Sequence, residues 1–476
     1  MVRAAASIPR TAPPVLHGAA SWQWYWRFLR DPLACFAEAQ RRFGPVCALG
    51  SPLPFRSRGR RFVLAIGAPY NRQVLGQPDL FRPGGQVMVG PKGSAHQRIR
   101  RGIFAMYGDK HRAHRQLMLP PFLKPAIATY SDIMARLIDE VLDRWRPSEP
   151  LDMYRQMRTL SNWVASHILF GNEDFAASIE LGRTIEHWLE LDAQLRSTFL
   201  WLNVPGTSYH RLLKHAERLE QAMRNAIERN RRTKSPGSDV LSILISALDS
   251  REAGMTETDL VAHGVILYAA SFETTANVLA WTLFLIAQHP RIAADLHDEI
   301  LGRIHEWPPD PQRLEELPLL DGVVRDSLRL MPPVAYTFRT PRRDVELGDL
   351  PLRRGDRVIL SSYMTHRDPE VFPQPNRFDP SRWFTLRPDP YQYIPFSASP
   401  RLCLGYSFAL LELKLTVTRV MQRFRMSVVP GARIDGVIRL TLRPRLGIPM
   451  AVYPQDRAFA AAPVTGNIQR MIDLTV

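Results

Sequence analysis

Phe396-Ser-Ala-Ser-Pro-Arg-Leu-Cys403-Leu-Gly405 is the stretch on which the reading of this chain turns. One cysteine stands two residues after Arg401 and two before Gly405, and a helical pattern resumes at once with Tyr406-Ser-Phe-Ala-Leu-Leu-Glu412. A thiolate on a tight loop ahead of a helix N-terminus suits metal ligation. The helix end favours negative charge, and nearby backbone N–H groups can donate to the sulfur. Arg401 adds a fixed cation beside it. A lone cysteine in a long chain is more often a buried small hydrophobe, so the motifs elsewhere have to decide.

The bulk numbers leave room for such a site. At 476 residues the chain can build one large or two ordinary domains. Its 45% hydrophobic and 23% charged residues are ordinary for a soluble globular protein. The 40 prolines against 27 glycines call for long irregular connections. Three cysteines (Cys35, Cys47, Cys403) are too few and too scattered for a disulfide framework, which points to a reducing, cytoplasmic setting. Cys35 and Cys47 have no ligand partners nearby and read as structural.

A net charge of +16 raises nucleic-acid binding. No zinc-finger spacing, RNA-binding aromatic motif or single basic stripe supports it. Arginines are spread along the chain, as at Arg100-Arg101, Arg231-Arg232 and Arg342-Arg343, so solvated faces and a basic docking surface are expected instead. Residues 266–287 are apolar enough to span a bilayer, but Glu273, Thr274, Thr275 and Asn277 interrupt them; a buried central helix is expected, not an anchor.

Residues 22–43 read as a helix broken at Pro32 and stopped by Gly44-Pro45. Trp22, Trp24 and Trp26 on it are expected to pack onto the fold. Short strands are expected over 46–49 and 61–66, and a long loop over 83–102. Helical patterns dominate from 110 to 287, and a further helix runs from Pro318 to a stop at Pro332-Pro333. A buried strand over 358–363, a proline-rich meander, the cysteine loop and a last long helix follow. Residues 439–453 alternate like a hairpin. The expected organisation is a flexible leader over 1–20, one catalytic domain over 21–454 and a tail over 455–476 with no readable signal. The fold class is mainly α with a small β portion.

Four further segments carry chemistry. In Ala270-Ser-Phe-Glu273-Thr274-Thr275, Thr274 lies one turn past Ala270, so its hydroxyl can bond that carbonyl, and Glu273 beside it can pass protons inward. Asp326 and Arg329 share a helix face and can pair. His111 and Arg115 lie one turn apart and can point together at an anion. Pro375-Asn-Arg377-Phe378 lies in the meander. His263 shares the stripe of Ala270 and Thr274, so it could face the substrate, but it reads first as a core or surface histidine.

Together with the cysteine loop, these segments resemble, in order, the motifs of the cytochrome P450 family over about residues 42 to 453. Ser399 and Ser271 stand where the family usually has glycine, and Asp326 where it has glutamate. The resemblance implies a P450 fold with haem b (iron protoporphyrin IX) between the long central helix and the Cys403 loop. It implies Cys403 as the axial iron ligand, which favours O–O cleavage. Phe396, Gly405 and Ala270 would flank the haem. His111, Arg115, Arg339 and Arg401 would hold its propionates. Glu273 and Thr274 would deliver protons, and Asp326, Arg329 and Arg377 would be structural, with Arg377 supplying the meander's arginine to the acid.

The implied activity is monooxygenation, hydroxylation or epoxidation, of a hydrophobic small molecule. The chain lacks a Gly-rich dinucleotide segment, so electrons are expected from a ferredoxin or flavodoxin with its reductase. A monomer is expected, with no nucleic acid and no transmembrane anchor. Fatty acid, terpenoid, polyketide and carrier-bound substrates are equally open. The alternative is a haem-thiolate protein without monooxygenase activity: a peroxygenase, a dehydratase or isomerase, or a non-catalytic sensor.

Overall fold

A computed structural model describes residues 14–16, 18–49, 61–84, 90–171, 174–193, 202–232 and 239–474. The chain divides into two compact units, one of residues 1–85, 335–375 and 388–402, the other of 86–334, 376–387 and 403–476.

The first unit is built on a five-stranded sheet in the order Val46–Ala48, Phe62–Ala65, Arg357–Leu360, Thr337–Pro341, Phe81–Gly84. The central strand runs parallel to Phe62–Ala65 and antiparallel to Thr337–Pro341. Trp24, Phe28 and Phe36 pack with Tyr336 and Phe338 in one core cluster, and Tyr70, Val74, Leu347 and Leu350 belong to a second. The expected break at Pro32 separates helices Gly18–Arg30 and Pro32–Phe43: Asp31 caps the second through Ala34 N–H (3.1 Å). Gly44 ends it at φ +82°, a conformation glycine alone takes without strain.

Of the three tryptophans expected to pack, Trp24 is buried while Trp22 and Trp26 are exposed. Of the expected leader, residues 1–13 and 17 lie outside the described residues. Val15 already bridges Ala48, and Leu16 N–H donates to Ala48 O (2.8 Å). The strand expected over 358–363 stops at Leu360, because the Ser361 hydroxyl caps a short helix, Ser362–Thr365, through Met364 N–H (3.2 Å).

The second unit gathers around the helix Glu257–Gln288, whose 32 residues span about 48 Å. A capping box between Thr256 and Asp259 starts it. It is the one helix among the described residues apolar and long enough to cross a membrane, and 78% of its most apolar window is buried within the protein. Helices Met153–Phe170, Phe175–Ala193 and Tyr406–Arg423 pack against it. Long apolar helices of this kind are stable because their whole circumference is buried.

Three expectations change in this unit. The alternating stretch 439–453 is not one hairpin: Gly436–Ile438 pairs with Leu442–Pro444, while Pro449–Pro454 pairs with Phe424–Val428 and Pro150–Asp152. Gly447, at φ +88°, turns the chain between the two pairings. The tail is also packed, with Val464, Ile468, Met471 and Ile472 buried and Asp473 N–H donating to Asn376 O (2.9 Å). Its apolar residues are too few and irregular to show a period.

Asp326 and Arg329 form the expected pair, both side chains fully buried, with Arg329 Nε 2.6 Å from Asp326 Oδ1. Asp379 N–H (2.8 Å) and Trp383 Nε1 (3.1 Å) donate to the same carboxylate. The meander's cation at the acid is not Arg377, as expected, but Arg382, at 3.2 Å. Arg377 is exposed and contributes its carbonyl to Arg329 Nη2 (2.8 Å). Helix Pro318–Leu330 presents the short Asp326 side chain to the turn Pro380–Phe384, where residue 382, not 377, faces it.

Candidate active site

In the second unit Cys403 lies two residues before Gly405, the N-terminal boundary of helix Tyr406–Arg423, whose carbonyl accepts from Ala409 N–H (2.8 Å). The thiol is solvent-exposed, yet protein atoms crowd it closely enough that desolvation raises its proton affinity. The Gly405 N–H and the Arg115 charge act in the opposite direction. The free sulfur is therefore held as a thiol poised to lose its proton to a metal.

Arg115, half-buried on helix Gly108–Met118, is itself pushed down by desolvation, with Cys403 as the compensating charge. His111, one turn earlier, is buried. His114, between them in sequence, belongs elsewhere: its Nδ1 lies 2.9 Å from Nε2 of His263, whose Nδ1 accepts from Ile103 N–H (3.2 Å). Burial pushes His263 down to about 3, so it is a neutral core histidine, as one of the two sequence readings has it.

The central helix presents one distinct stripe. From Val261 to Gln288 only Ile266, Ala269, Ala270, Ser271 and Thr274 keep any substantial exposure. Thr274 Oγ1–H donates to Ala270 O at 2.8 Å, the bond the sequence suggests, and the helix runs unbroken through it. Ser271 donates to Tyr268 O (2.8 Å), so its hydroxyl is absorbed by the helix. Glu273 is buried; desolvation raises its proton affinity, while Thr441, Arg443 and Arg158 lower it.

The first unit holds Phe396, Arg401 and Arg339 of the expected set. Ser397 and Ser399 both take left-handed backbone (φ +63° and +60°) to shape the turn Ser399–Arg401, and the family's glycine at 399 is the residue that does so without strain. Arg339 Nη1 donates to two uncharged oxygens, Thr337 Oγ1 (3.1 Å) and Phe338 O (2.9 Å). Burial, with the Arg401 charge acting on it, pushes Arg339 down to about 10. A buried arginine with a second arginine charge acting on it favours a bound anion.

These residues fit haem. Among the described residues no cluster of three or more His, Cys, Asp or Glu could hold a metal ion by itself, so a metal on Cys403 must bring its other ligands with it. A porphyrin does so. Of the residues that sequence reasoning missed, Thr441, Asn277 and Arg443 lie in no motif, whereas Arg382 lies in Pro380-Ser-Arg382-Trp383, a second copy of the Pro-x-Arg-aromatic pattern of Pro375–Phe378. Thr441 reaches Glu273 from 168 positions away, a separation that leaves no spacing signal.

The helical architecture and the thiol loop point to a haem-dependent enzyme. The chain belongs to the cytochrome P450 family, whose model, described as Cytochrome P450, matches residues 20–446. It is similar to a cyclooctat-9-en-7-ol 5-monooxygenase of Streptomyces melanosporofaciens, 29% identical with 90% of each chain covered. Cyclooctatin synthase of the same organism is 30% identical over 81% of this chain and 84% of its own. Abscisic acid 8'-hydroxylase 2 of Arabidopsis thaliana is 24% identical over 90% of this chain and 86% of its own. Among solved structures, a cyanobacterial P450 with retinoic acid bound superposes with a TM-score of 0.81 at 24% identity, covering 93% of this chain and 99% of that one. The fold is therefore the mainly helical P450 fold. The protein is a haem-dependent monooxygenase, which incorporates oxygen from O2 into a small molecule using electrons from a redox partner.

Proposed function

We propose that Cys403 is the axial ligand of haem b, with Gly405 N–H and Arg115 steadying its thiolate. The observation that carries this is the Cys403 thiol itself: exposed, ahead of a helix, and within reach of a backbone donor and a half-buried cation. His111 and the cations Arg115, Arg339 and Arg401 are offered to the haem carboxylates, and Phe396, Gly405 and Ala270 flank the ring. When bound, the haem supplies the iron-centred activation of oxygen. Residues 21–454 serve as one catalytic domain.

The chain's own residues then handle the proton. Glu273, whose proton affinity burial raises, carries it on its carboxyl. Thr274, whose hydroxyl turns back to Ala270 O, lies on the exposed stripe where it can hand a proton onward by rotating off that carbonyl. Ala269 and Ala270 leave room on the same stripe for an apolar reactant. The substrate is a hydrophobic small molecule, hydroxylated or epoxidised at one position. Relatives named as a 5-monooxygenase and an 8'-hydroxylase support single-position oxidation. A ferredoxin or flavodoxin with its reductase supplies electrons to a cytoplasmic monomer.

The carbon monoxide difference spectrum of the reduced protein tests the ligand. A strongly red-shifted Soret band, lost in Cys403→Ala, is expected. A band typical of histidine or thiol ligation in the unaltered protein overturns the assignment.

A further inference from the structure

Glu273, Asn277 and Trp281 are spaced one turn apart and form a single stripe of the central helix. All three are bound to the turn between strands Gly436–Ile438 and Leu442–Pro444. Thr441 Oγ1–H donates to Glu273 Oε1 (2.7 Å), and Asn277 Nδ2–H donates to Thr441 Oγ1 (3.0 Å). Trp281 Nε1–H donates to Leu442 O (3.3 Å), and Leu442 N–H to Pro333 O (2.8 Å). Glu273, Asn277 and Thr441 are all buried. Arg443, two residues on, fastens the same strand to helix Phe175–Ala193 through Glu190 (2.7 Å) and Glu186 (3.7 Å).

We propose that Thr441 is a positioning residue for proton delivery: it holds the Glu273 carboxyl on the hairpin stripe, off the stripe of Thr274, and its hydroxyl stabilises the carboxylate left after the proton departs. The proposal rests on Glu273 being the proton donor. Adjacent helix positions face about 100° apart, so a carboxyl bonded to Thr441 does not point at the Thr274 hydroxyl. Delivery requires the carboxyl to swing from Thr441; the Glu273 O–H bond breaks as its proton bonds to Thr274 Oγ1, which releases its own hydroxyl proton to the oxygen being reduced, and the carboxylate returns to Thr441 to be reprotonated from solvent. The other groups facing Glu273 are Arg158 and Tyr154 from helix Met153–Phe170, Arg443 from the hairpin, and Glu186 from helix Phe175–Ala193. The arginines favour the carboxylate and Glu186 opposes it. Asn277, which spends an amide hydrogen on Thr441, keeps that hydroxyl's own hydrogen directed at Glu273.

The test is Thr441→Val, which keeps the shape and removes the donor, with Thr441→Ser as the rescue and Glu273→Gln as the control. In the ferric protein, without turnover, infrared difference spectroscopy should show a protonated carboxyl band that is absent in Glu273→Gln and shifted to higher frequency in Thr441→Val. Losing a donor to the carboxylate raises the proton affinity of Glu273. The alkaline limb of product formed per electron should therefore move up by about one pH unit in Thr441→Val, and Thr441→Ser should restore both. An unshifted band in Thr441→Val overturns the proposal, as does an unmoved limb where Glu273→Gln abolishes coupling. Unchanged coupling in Glu273→Gln overturns the donor reading instead, while the band still reports whether Thr441 holds the carboxyl.

Discussion

Replacing Asp326 by alanine strands a fully buried cation. The carboxylate accepts from Arg329 Nε (2.6 Å) and Nη2 (3.2 Å), Asp379 N–H (2.8 Å) and Trp383 Nε1 (3.1 Å). Arg382 stands 3.2 Å from it. Breaking a buried ion pair by removing one partner costs about 3–5 kcal/mol, because the survivor stays desolvated and uncompensated. Each orphaned neutral donor adds about 1–3 kcal/mol, though such losses in one network are not additive. Asp326→Ala should therefore cost about 4–6 kcal/mol, a large part of the roughly 5–15 kcal/mol that holds a domain folded. Urea unfolding followed by circular dichroism, with haem retention read in parallel, should show a lower midpoint at unchanged slope. Asp326→Glu restores the family's usual acid, yet this site is closed around the shorter chain; the extra methylene should cost about 1–3 kcal/mol. A loss below about 1 kcal/mol in Asp326→Ala would refute the view that this cluster is a desolvated pair whose members depend on each other.

Two other predictions concern stability. Glu412 is fully buried and pushed up to about 8 by desolvation, with only Ser161 easing it. Its folded proton affinity exceeds the unfolded one, so its contribution is complete below about pH 4.5 and is lost as pH rises towards 8, by about 5 kcal/mol. Urea midpoints of the native chain should fall across that window, and those of Glu412→Gln should fall less; parallel slopes would remove Glu412 as the cause. At Ser399 (φ +60°) a β-branched side chain is strained, so Ser399→Val should cost about 1–2 kcal/mol and speed haem loss, while Ser399→Gly should do neither. Equal haem-loss rates in the two variants would show that the left-handed turn does not support the loop.

Much of this was legible because local chemistry fixes it. The proline at 32, the cap-and-glycine ends of helices and the one-turn bond from Thr274 to Ala270 follow from neighbours in sequence. So does the cysteine ahead of its helix, since helix termini have rules that act within a few residues. What was not legible depends on distant residues. Arg382 rather than Arg377 meets Asp326 because of how the turn Pro380–Phe384 docks on a helix more than fifty positions earlier. Residues 439–453 looked like one hairpin because alternation reports half-burial, not partner; the strands pair with Gly436–Ile438 and Phe424–Val428 instead. The tail packs with buried side chains too sparse to show periodicity.

Burial of an acid does not by itself mark a proton donor, and this chain supplies its own comparison. Glu273 and Glu412 both lie in long helices of the second unit, and desolvation raises the proton affinity of both. Their surroundings differ. Among the described residues, neither carboxyl oxygen of Glu412 has a hydrogen bond of good geometry, and no arginine acts on it. A proton there has nowhere to go, and the group serves packing. Glu273 is met by a hydroxyl donor and acted on by two arginines, one of which, Arg443, pairs with Glu190, whose side chain is 40% exposed. A carboxylate formed at Glu273 is stabilised before it exists, so the proton can leave and be replaced. Connectivity to solvent, not depth, separates the acid that turns over from the acid that only fills space.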